Sequence, residues 1–154
     1  LYAFNASQIG VLLAVSGADF LRSLAMPPQL TIGGIIIFVG LLNLIITSAS
    51  AKWAILAPIF VPMLMGVGIA PELTQVAFRV SDSAVNVVTP MFAFYPLIIT
   101  YCQKYVKEAG IGTLSSMMLP YTIGLLVTLS IVLYAFWGLD LPLGLQASYL
   151  YPRP

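Results

Sequence analysis

Thr47-Ser-Ala-Ser-Ala-Lys-Trp53 and Arg79-Val-Ser-Asp-Ser-Ala-Val-Asn-Val-Val-Thr-Pro90 are two short polar stretches in a chain that is otherwise almost wholly apolar. The segments around them that carry no charged residue are residues 30–51, 53–71, 83–103 and 109–139. In a lipid bilayer, polar and ionisable groups at such positions are costly, and by default they mark a path for a substrate or an ion. The two stretches are therefore the candidate functional site.

The composition of the whole chain is unlike that of a soluble domain. Of its 154 residues, 60% are hydrophobic and only 7% are charged, and the mean hydropathy is +1.03. These charges are too few to cover a soluble particle. A helix of about 20 apolar residues spans the hydrocarbon core of a bilayer, and several of the uncharged segments reach or approach that length. The sequence therefore predicts an all-α integral membrane protein.

Charge and residue content argue against several functions. The net charge of +1 gives no basis for binding nucleic acid. The chain has no histidine, and its single cysteine, Cys102, can form neither an internal disulfide nor a cysteine metal cluster. It has no phosphate-binding loop motif, and Asp82 is the only carboxylate deep within a predicted span. We therefore expect no enzymatic activity, no metal site and no cofactor.

The two ends of the chain predict one membrane helix each, over residues 1–24 and 111–139. Asp19 and Arg22 lie three residues apart near the end of the first helix, where a local ion pair is the ordinary interpretation. Lys104 and Lys107 follow a predicted span, and the excess of basic residues in cytoplasmic loops places them in the cytoplasm. Because the chain opens at Leu1 within an apolar pattern, we interpret it as a piece of a longer polypeptide.

Residues 30–70 contain two apolar arms on either side of the small residues 48–51. Each arm is about 18 residues long and would extend about 27 Å, slightly short for a perpendicular crossing. The arms could be two full spans joined by a tight loop, with Lys52 at the membrane face. They could also form a re-entrant hairpin whose tip, residues 48–51, lies at depth against protein or water. Length and topology leave both interpretations open.

Residues 71–106 predict a helix that begins at Pro71 and is interrupted at residues 87–90. Arg79, Asp82 and Asn86 recur at spacings of three and four, so they share one helical face. Thr89 precedes Pro90, which disfavours helix at Thr89 and removes a backbone donor. The interruption could be a structural proline kink. It could also be a break that exposes backbone groups and half-helix ends, as in the ion and substrate sites of secondary transporters.

A channel is the alternative function from a different class. Serine and threonine hydroxyls and backbone carbonyls could line a pore. The sequence shows no carbonyl-rich filter motif, and such filters are usually built by repeated subunits around an axis. A secondary transporter is therefore the favoured interpretation, with a channel subunit as the alternative.

One family resemblance extends over nearly the whole chain and is strongest from Ser48 to Thr113. The segments that carry it are Ser48-Ala-Ser-Ala-Lys-Trp-Ala-Ile-Leu-Ala-Pro-Ile-Phe-Val-Pro-Met-Leu-Met65, Pro71-Glu-Leu-Thr-Gln75, Arg79-x-x-Asp82-Ser83, Asn86-x-x-x-Pro90 and Gly110-Ile-Gly-Thr113. Together they closely resemble the p-aminobenzoyl-glutamate transporter (AbgT) family of bacteria. The chain looks like the C-terminal portion of such a transporter.

The resemblance implies a multi-pass protein of the bacterial inner membrane, generally a homodimer, with nine membrane helices and two re-entrant hairpins. It makes residues 30–70 the second hairpin, with its tip at residues 48–51, and residues 71–106 the broken helix, with its break at residues 87–90. The missing N-terminal half would supply a further carboxylate. The residues that the resemblance implies at the substrate site are Ser50, Trp53, Pro71, Arg79, Asp82 and Pro90.

We therefore expect a secondary transporter of p-aminobenzoyl-glutamate or similar aromatic carboxylates, with sulfonamide efflux by antiport as a second activity. Arg79 would bind the anionic end of the substrate, and Trp53 would contact its ring. Ser50 and Asn86 would form hydrogen bonds near the hairpin tip and the break. Asp82 is the candidate for coupling to a proton, although an ion pair with Arg79 is also open. Sodium held by carbonyls of the broken helix is a third option.

Overall fold

A computed structural model describes residues 9–144 and 147–151, and the side chains of Ile9 and Gly10 are not described. This part of the chain folds into six helices and contains no strand. The first eight residues of the helix predicted over residues 1–24 lie outside the described residues. The helices are α1 (Ile9–Ser23), α2 (Pro28–Asn43), α3 (Ala49–Gly66), α4 (Pro71–Val85), α5 (Tyr95–Cys102) and α6 (Ile111–Gly138).

Proline and serine set the beginnings of the helices that surround the site. Pro28 and Pro71 are the first residues of α2 and α4, where a proline loses no intrahelical hydrogen bond. Ser48 is the N-cap of α3, and its hydroxyl accepts a hydrogen bond from the Ala51 backbone N–H at 3.4 Å. Pro58 and Pro62 lie inside α3, which nevertheless continues as one helix to Gly66.

Helix α4 is the centre of the packing. It contacts α2 along much of its length and also packs on α6 and α3, while α3 packs on α1. Leu73 and Ala77 of α4 have no exposed surface, and they join a buried apolar core with residues of α2 and α3. At the contact with α2, the Ser81 hydroxyl donates to the Ile36 carbonyl at 2.6 Å. Helix α4 is thus fixed on three sides.

The connection that follows α4 is longer than the break predicted at residues 87–90. Helix α4 ends at Val85, and α5 begins at Tyr95. Thr89 is buried within the connection, and its hydroxyl donates to the Val85 carbonyl at 2.8 Å. The interpretation of α4 and α5 as two halves of one broken transmembrane helix stays a prediction.

A short C-terminal segment returns to the turn between α3 and α4. Ile69 and Leu150 form an antiparallel bridge. On either side of it, the Ala70 N–H donates to the Tyr149 carbonyl at 3.1 Å and the Tyr151 N–H donates to the Gly68 carbonyl at 2.9 Å. The segment therefore ties the beginning of α4 to the end of the chain.

Two of the six helices, α3 and α6, are long and apolar enough to cross a membrane, and α2 is a shorter apolar helix of 16 residues. Helices α2 and α3, joined by residues 44–48, occupy the segment predicted as a hairpin over residues 30–70. The entry of both arms from the same side of the bilayer stays a prediction.

Candidate functional site

The first turn of α3 lies beside the middle of α4 and encloses a cavity with it. The volume of this cavity is about 360 Å³. Its lining comes only from these two helices, and the residues are Ala49, Ser50, Trp53, Gln75, Phe78 and Arg79. Three of the residues predicted from the sequence, Ser50, Trp53 and Arg79, therefore meet at one site.

The cavity has an aromatic wall and a cationic group. The rings of Trp53 and Phe78 pack at a tilt of 48°, with 4.8 Å between their centroids. Arg79 is exposed, and within residues 9–144 and 147–151 its guanidinium forms no salt bridge. A guanidinium in this state can present its planar set of N–H donors to a carboxylate. The site can accordingly receive an aromatic ring and an anionic group together.

A buried polar cluster lies beside this cavity, between α2, α3 and α4. The Lys52 ammonium is 2.7 Å from Oδ1 of Asp82, and the exposed fractions of the two side chains are 1% and 4%. The ammonium also donates a hydrogen bond to Oδ1 of Asn43, which has no exposed surface. This cluster thus contains a fully buried ion pair with an amide as its third member.

Asn43 and Asn86 extend the cluster towards the end of α4. Nδ2 of Asn43 donates to Oδ1 of Asn86 at 3.0 Å, and Nδ2 of Asn86 lies 3.4 Å from Oδ2 of Asp82. The Thr89 hydroxyl also lies 3.4 Å from the Asn43 carbonyl. The cluster therefore binds the end of α2 to the segment where α4 stops.

The predicted site residues fall into three groups. Ser50, Trp53 and Arg79 line the cavity, whereas Asp82 and Asn86 belong to the buried polar cluster. The two predicted prolines lie in neither place. Pro71 begins α4, about 16 Å along the helix from Asp82 at 1.5 Å per residue. Pro90 is exposed in the connection after α4.

Lys52, which one of the two interpretations of residues 30–70 places at the membrane face, is buried among protein groups, and its depth in the membrane stays a prediction. The partner of Asp82 in the described ion pair is Lys52 and not Arg79. A sequence signal for Lys52 existed, since it is the one charged residue between Leu30 and Pro71. Asn43 and Phe78 gave no such signal, because their roles depend on how α2 and α4 pack.

A larger cavity, of about 410 Å³, lies at the opposite end of α3 and contains none of the predicted residues. The Arg22 guanidinium in its lining donates from Nε to the Gly66 carbonyl at 3.0 Å and lies 3.7 Å from Asp19. Arg22 thus binds the end of α3, and the predicted Asp19–Arg22 ion pair is confirmed.

Within the described part of the chain, no group of three or more His, Cys, Asp or Glu side chains could hold a metal ion. The buried oxygens of the polar cluster are already bonded to Lys52 and to the two asparagines. Sodium binding at carbonyls of the connection after α4 stays a prediction.

Comparison with known proteins identifies relatives for almost the whole chain. Residues 1–151 match the model of the AbgT putative transporter family. The p-aminobenzoyl-glutamate transport protein of Escherichia coli is 38% identical over 150 residues, which are 97% of this chain and 29% of that protein. Two solved structures are also similar. The YdaH transporter of Alcanivorax borkumensis has a TM-score of 0.85 and 46% identity, covering 92% of this chain and 30% of YdaH.

The second similar structure is MtrF of Neisseria gonorrhoeae, described as illuminating a class of antimetabolite efflux pumps. Its TM-score is 0.80 and its identity 44%, covering 98% of this chain and 29% of MtrF. The chain thus spans about three tenths of the length of each of these relatives. The all-helical fold of the described residues is that of a part of these transporters.

Proposed function

Because the chain belongs to the AbgT putative transporter family, we propose that it is part of a secondary active transporter for p-aminobenzoyl-glutamate-like aromatic carboxylates. Its relatives are transporters and not enzymes. The observation that carries the proposal is the cavity between α3 and α4, which combines an aromatic wall with a free guanidinium among the described residues.

The size and lining of the cavity agree with a substrate that contains one aromatic ring. Its volume of about 360 Å³ lies within the range of small-molecule sites, which is about 300–1,000 Å³. The half-buried Trp53, tilted against Phe78, offers a face on which a benzoyl ring can stack. The ring of the substrate would therefore lie against α3.

Two features of the cavity attract anions. Arg79 can form two parallel hydrogen bonds with one carboxylate. Ala49 and Ser50 are the first residues of α3, so the cavity also receives the positive end of the helix dipole. A glutamate moiety carries two carboxylates, and the two features together would bind both.

Asp82 is the proposed site of coupling to a proton, with the substrate exchanged for the cation in an antiport cycle. It is a buried carboxylate close to the cavity, and ionisable groups buried in membrane segments commonly lie on proton or ion paths. Sodium at backbone carbonyls of the connection after α4 is the alternative coupling ion, and the residues that would bind it are not assigned.

Efflux of sulfonamides is the second proposed activity. The observation that favours it is the 44% identity with MtrF, described as one of a class of antimetabolite efflux pumps. Sulfonamides contain an aminobenzene ring like that of p-aminobenzoyl-glutamate, so the Trp53 and Phe78 wall would accept both. They lack the glutamate carboxylates and would depend less on Arg79.

For the whole protein we propose a homodimer in the bacterial inner membrane, crossing it several times. In this arrangement α2 and α3 are the arms of a re-entrant hairpin, α4 and α5 are the two parts of a broken helix, and an N-terminal half completes the substrate site. The similarity to YdaH, at a TM-score of 0.85 over 92% of this chain and 30% of YdaH, supports a transporter fold for this part of the protein.

The test is accumulation of labelled p-aminobenzoyl-glutamate in vesicles that contain the full-length protein. Under an imposed cation gradient, the substrate should be transported against its own concentration gradient. Flux that only dissipates the substrate gradient, at rates near those of single channels, would support the channel alternative and reject the transporter.

Arg79→Lys, measured in the same experiment, tests whether the guanidinium binds the substrate. It keeps the positive charge but removes the fork of N–H donors, so the KM for p-aminobenzoyl-glutamate should rise about tenfold. The control is Arg22→Lys, which changes a guanidinium in the other cavity and should leave the KM unchanged. Equal effects of the two changes would contradict a role for Arg79 in binding.

A further inference from the structure

Lys52 has direct contacts with the proposed coupling carboxylate and with the wall of the substrate cavity. Its ammonium is 2.7 Å from Oδ1 of Asp82 and 5.7 Å from the centroid of the Phe78 ring. Phe78 in turn packs on Trp53, with 4.8 Å between the centroids of the two rings. A continuous set of contacts therefore runs from Asp82 through Lys52 and Phe78 to Trp53.

Few other charged groups can balance the negative charge of Asp82. Helices α2 and α6, which pack on α4, contain no Asp, Glu, Lys or Arg, and the titratable groups of α6 are Tyr121 and Tyr134. On α4 itself, Arg79 is exposed and lines the cavity, and Glu72 lies in the first turn. Within the described residues, Lys52 is thus the counter-ion of Asp82.

The charges of Lys52 and Asp82 therefore depend on each other. A lone ammonium buried away from water is strongly unfavourable, whereas a close, hydrogen-bonded pair is tolerated. When a proton or another cation neutralises Asp82, Lys52 loses its partner while the contact with Asn43 remains. The ammonium can then lower its energy by moving towards water or by releasing its proton, and either change alters its contact with Phe78, which lines the cavity.

We infer that Lys52 is a positioning residue that transmits the charge state of Asp82 to the substrate cavity, acting through Phe78 and Trp53. With the ion pair formed, the first turn of α3 is fixed to α4 and the aromatic wall is in place. With Asp82 neutralised, the displacement or deprotonation of Lys52 alters that wall and changes the affinity for the aromatic substrate. The inference rests on the proposed function, because it assigns the link between cation and substrate within it.

The test compares substrate affinity at different cation concentrations in the full-length protein. Binding of p-aminobenzoyl-glutamate is measured by calorimetry, with the folded fraction of each sample determined separately, while the proton and sodium concentrations are varied in turn. In the unchanged protein, one of the two cations should shift the Kd about tenfold, which is a typical coupling between two sites. Lys52→Met should reduce that shift to less than about twofold.

A second variant separates loss of the cation response from misfolding of Lys52→Met. Lys52→Met combined with Asp82→Asn removes both buried charges and leaves no unpaired ion, so it should fold and bind substrate, and its Kd should not respond to either cation. The matched control is Lys107→Met, which changes an exposed lysine outside the site. The Kd of this variant should keep the full response to the cation.

The possible outcomes separate the inference from the function on which it rests. If Lys52→Met binds substrate and keeps the tenfold cation response, the inference is overturned while the proposed transporter survives. If the unchanged protein binds substrate but its Kd responds to neither cation, the inference is also overturned. If the unchanged protein binds no p-aminobenzoyl-glutamate, the proposed function fails and the inference fails with it.

Discussion

The Lys52 ammonium lies 2.7 Å from Oδ1 of Asp82, and no more than 4% of either side chain is exposed. The two residues come from consecutive helices, α3 and α4, which also form the cavity lined by Trp53 and Arg79. An ion pair so deeply buried is costly to desolvate and is weak evidence for a stabilising role. Its position beside the cavity makes a functional role the better explanation.

Asp82→Asn should abolish cation-driven accumulation of substrate while exchange of substrate across the membrane continues. The amide keeps the shape of the carboxylate but cannot take up a proton. The change also leaves Lys52 unpaired, which costs about 3–5 kcal/mol of stability, so rates must be expressed per folded protein. Uptake and efflux in vesicles under imposed proton or sodium gradients measure the effect, with Asp19→Asn as the exposed control. Retained gradient dependence would exclude Asp82 as the coupling residue.

Trp53→Leu should weaken binding of p-aminobenzoyl-glutamate about tenfold, because stacking on an aromatic face contributes about 0.5–1.5 kcal/mol beyond the buried area. Trp53→Phe should have a smaller effect, since it keeps a ring against Phe78. Calorimetric titration of the folded protein measures both changes. Any weak binding of free glutamate, which has no ring, should be unaffected, and a parallel loss would indicate general damage to the cavity.

Asn43→Leu should destabilise the protein by about 1–3 kcal/mol, because it leaves buried polar groups without a partner. In the unchanged protein, Asn43 accepts a hydrogen bond from Lys52 and donates one to Asn86. Thermal denaturation of the detergent-solubilised protein measures the loss. Gln29→Leu, at an exposed position of α2, is the matched control. Similar melting temperatures for the two variants would show that the hydrogen bonds of Asn43 are dispensable.

Gly40→Val should destabilise the contact between α2 and α4. A Cβ atom at Gly40 would lie 3.1 Å from the Ser81 hydroxyl oxygen and 3.4 Å from Cγ2 of Val85, so a larger side chain must displace one of them. Such overpacking typically costs about 1–3 kcal/mol. Gly34→Val in the same helix is the control, since a Cβ there meets no atom within 4 Å. The melting temperature should fall only for the change at Gly40.

Ser50→Cys tests the hairpin. In a background with Cys102 replaced by Ser, the new thiol should react with membrane-impermeant reagents slowly, and substrate should protect it, because Ser50 lines the cavity. Lys107→Cys, in the loop predicted to be cytoplasmic, is the control and should react equally with and without substrate. Free reaction of the Ser50→Cys thiol from the cytoplasm, unchanged by substrate, would favour two ordinary spans over a re-entrant hairpin.

Ser50, Trp53 and Arg79, which the family resemblance implies at the substrate site, line one cavity in the structure, and their binding of substrate stays a prediction. The physical signal in the sequence is local and marks the two polar stretches that contain these residues, because polar groups within apolar segments are costly to bury. The pairing of Asp82 was not predictable in the same way. Spacing along one helix favours Arg79, three residues away, whereas the actual partner, Lys52, comes from another helix and is fixed by packing.

The prolines show a second limit of structure prediction from the sequence. Pro58 and Pro62 lie inside the continuous helix α3, whereas α4 ends at Val85, five residues before Pro90. A proline removes one donor and clashes with the carbonyl four residues earlier, but neighbouring groups decide whether the helix ends. After α4, the Thr89 hydroxyl bonds to the carbonyls of Val85 and Asn43 and stabilises a non-helical path.

The order of Lys52 and Asp82 along the chain has a consequence for insertion during synthesis. Lys52 precedes Asp82 by 30 residues, so the whole of α3 is synthesised before Asp82, the counter-ion of Lys52, has been translated. An unpaired lysine costs about 2.5–3.5 kcal/mol at the centre of a membrane helix on the scale measured for translocon insertion, and Lys52, in the first turn of α3, would carry part of that cost. We therefore expect α3 to stay at the translocon until α4 has been synthesised, and the two helices to insert into the lipid together.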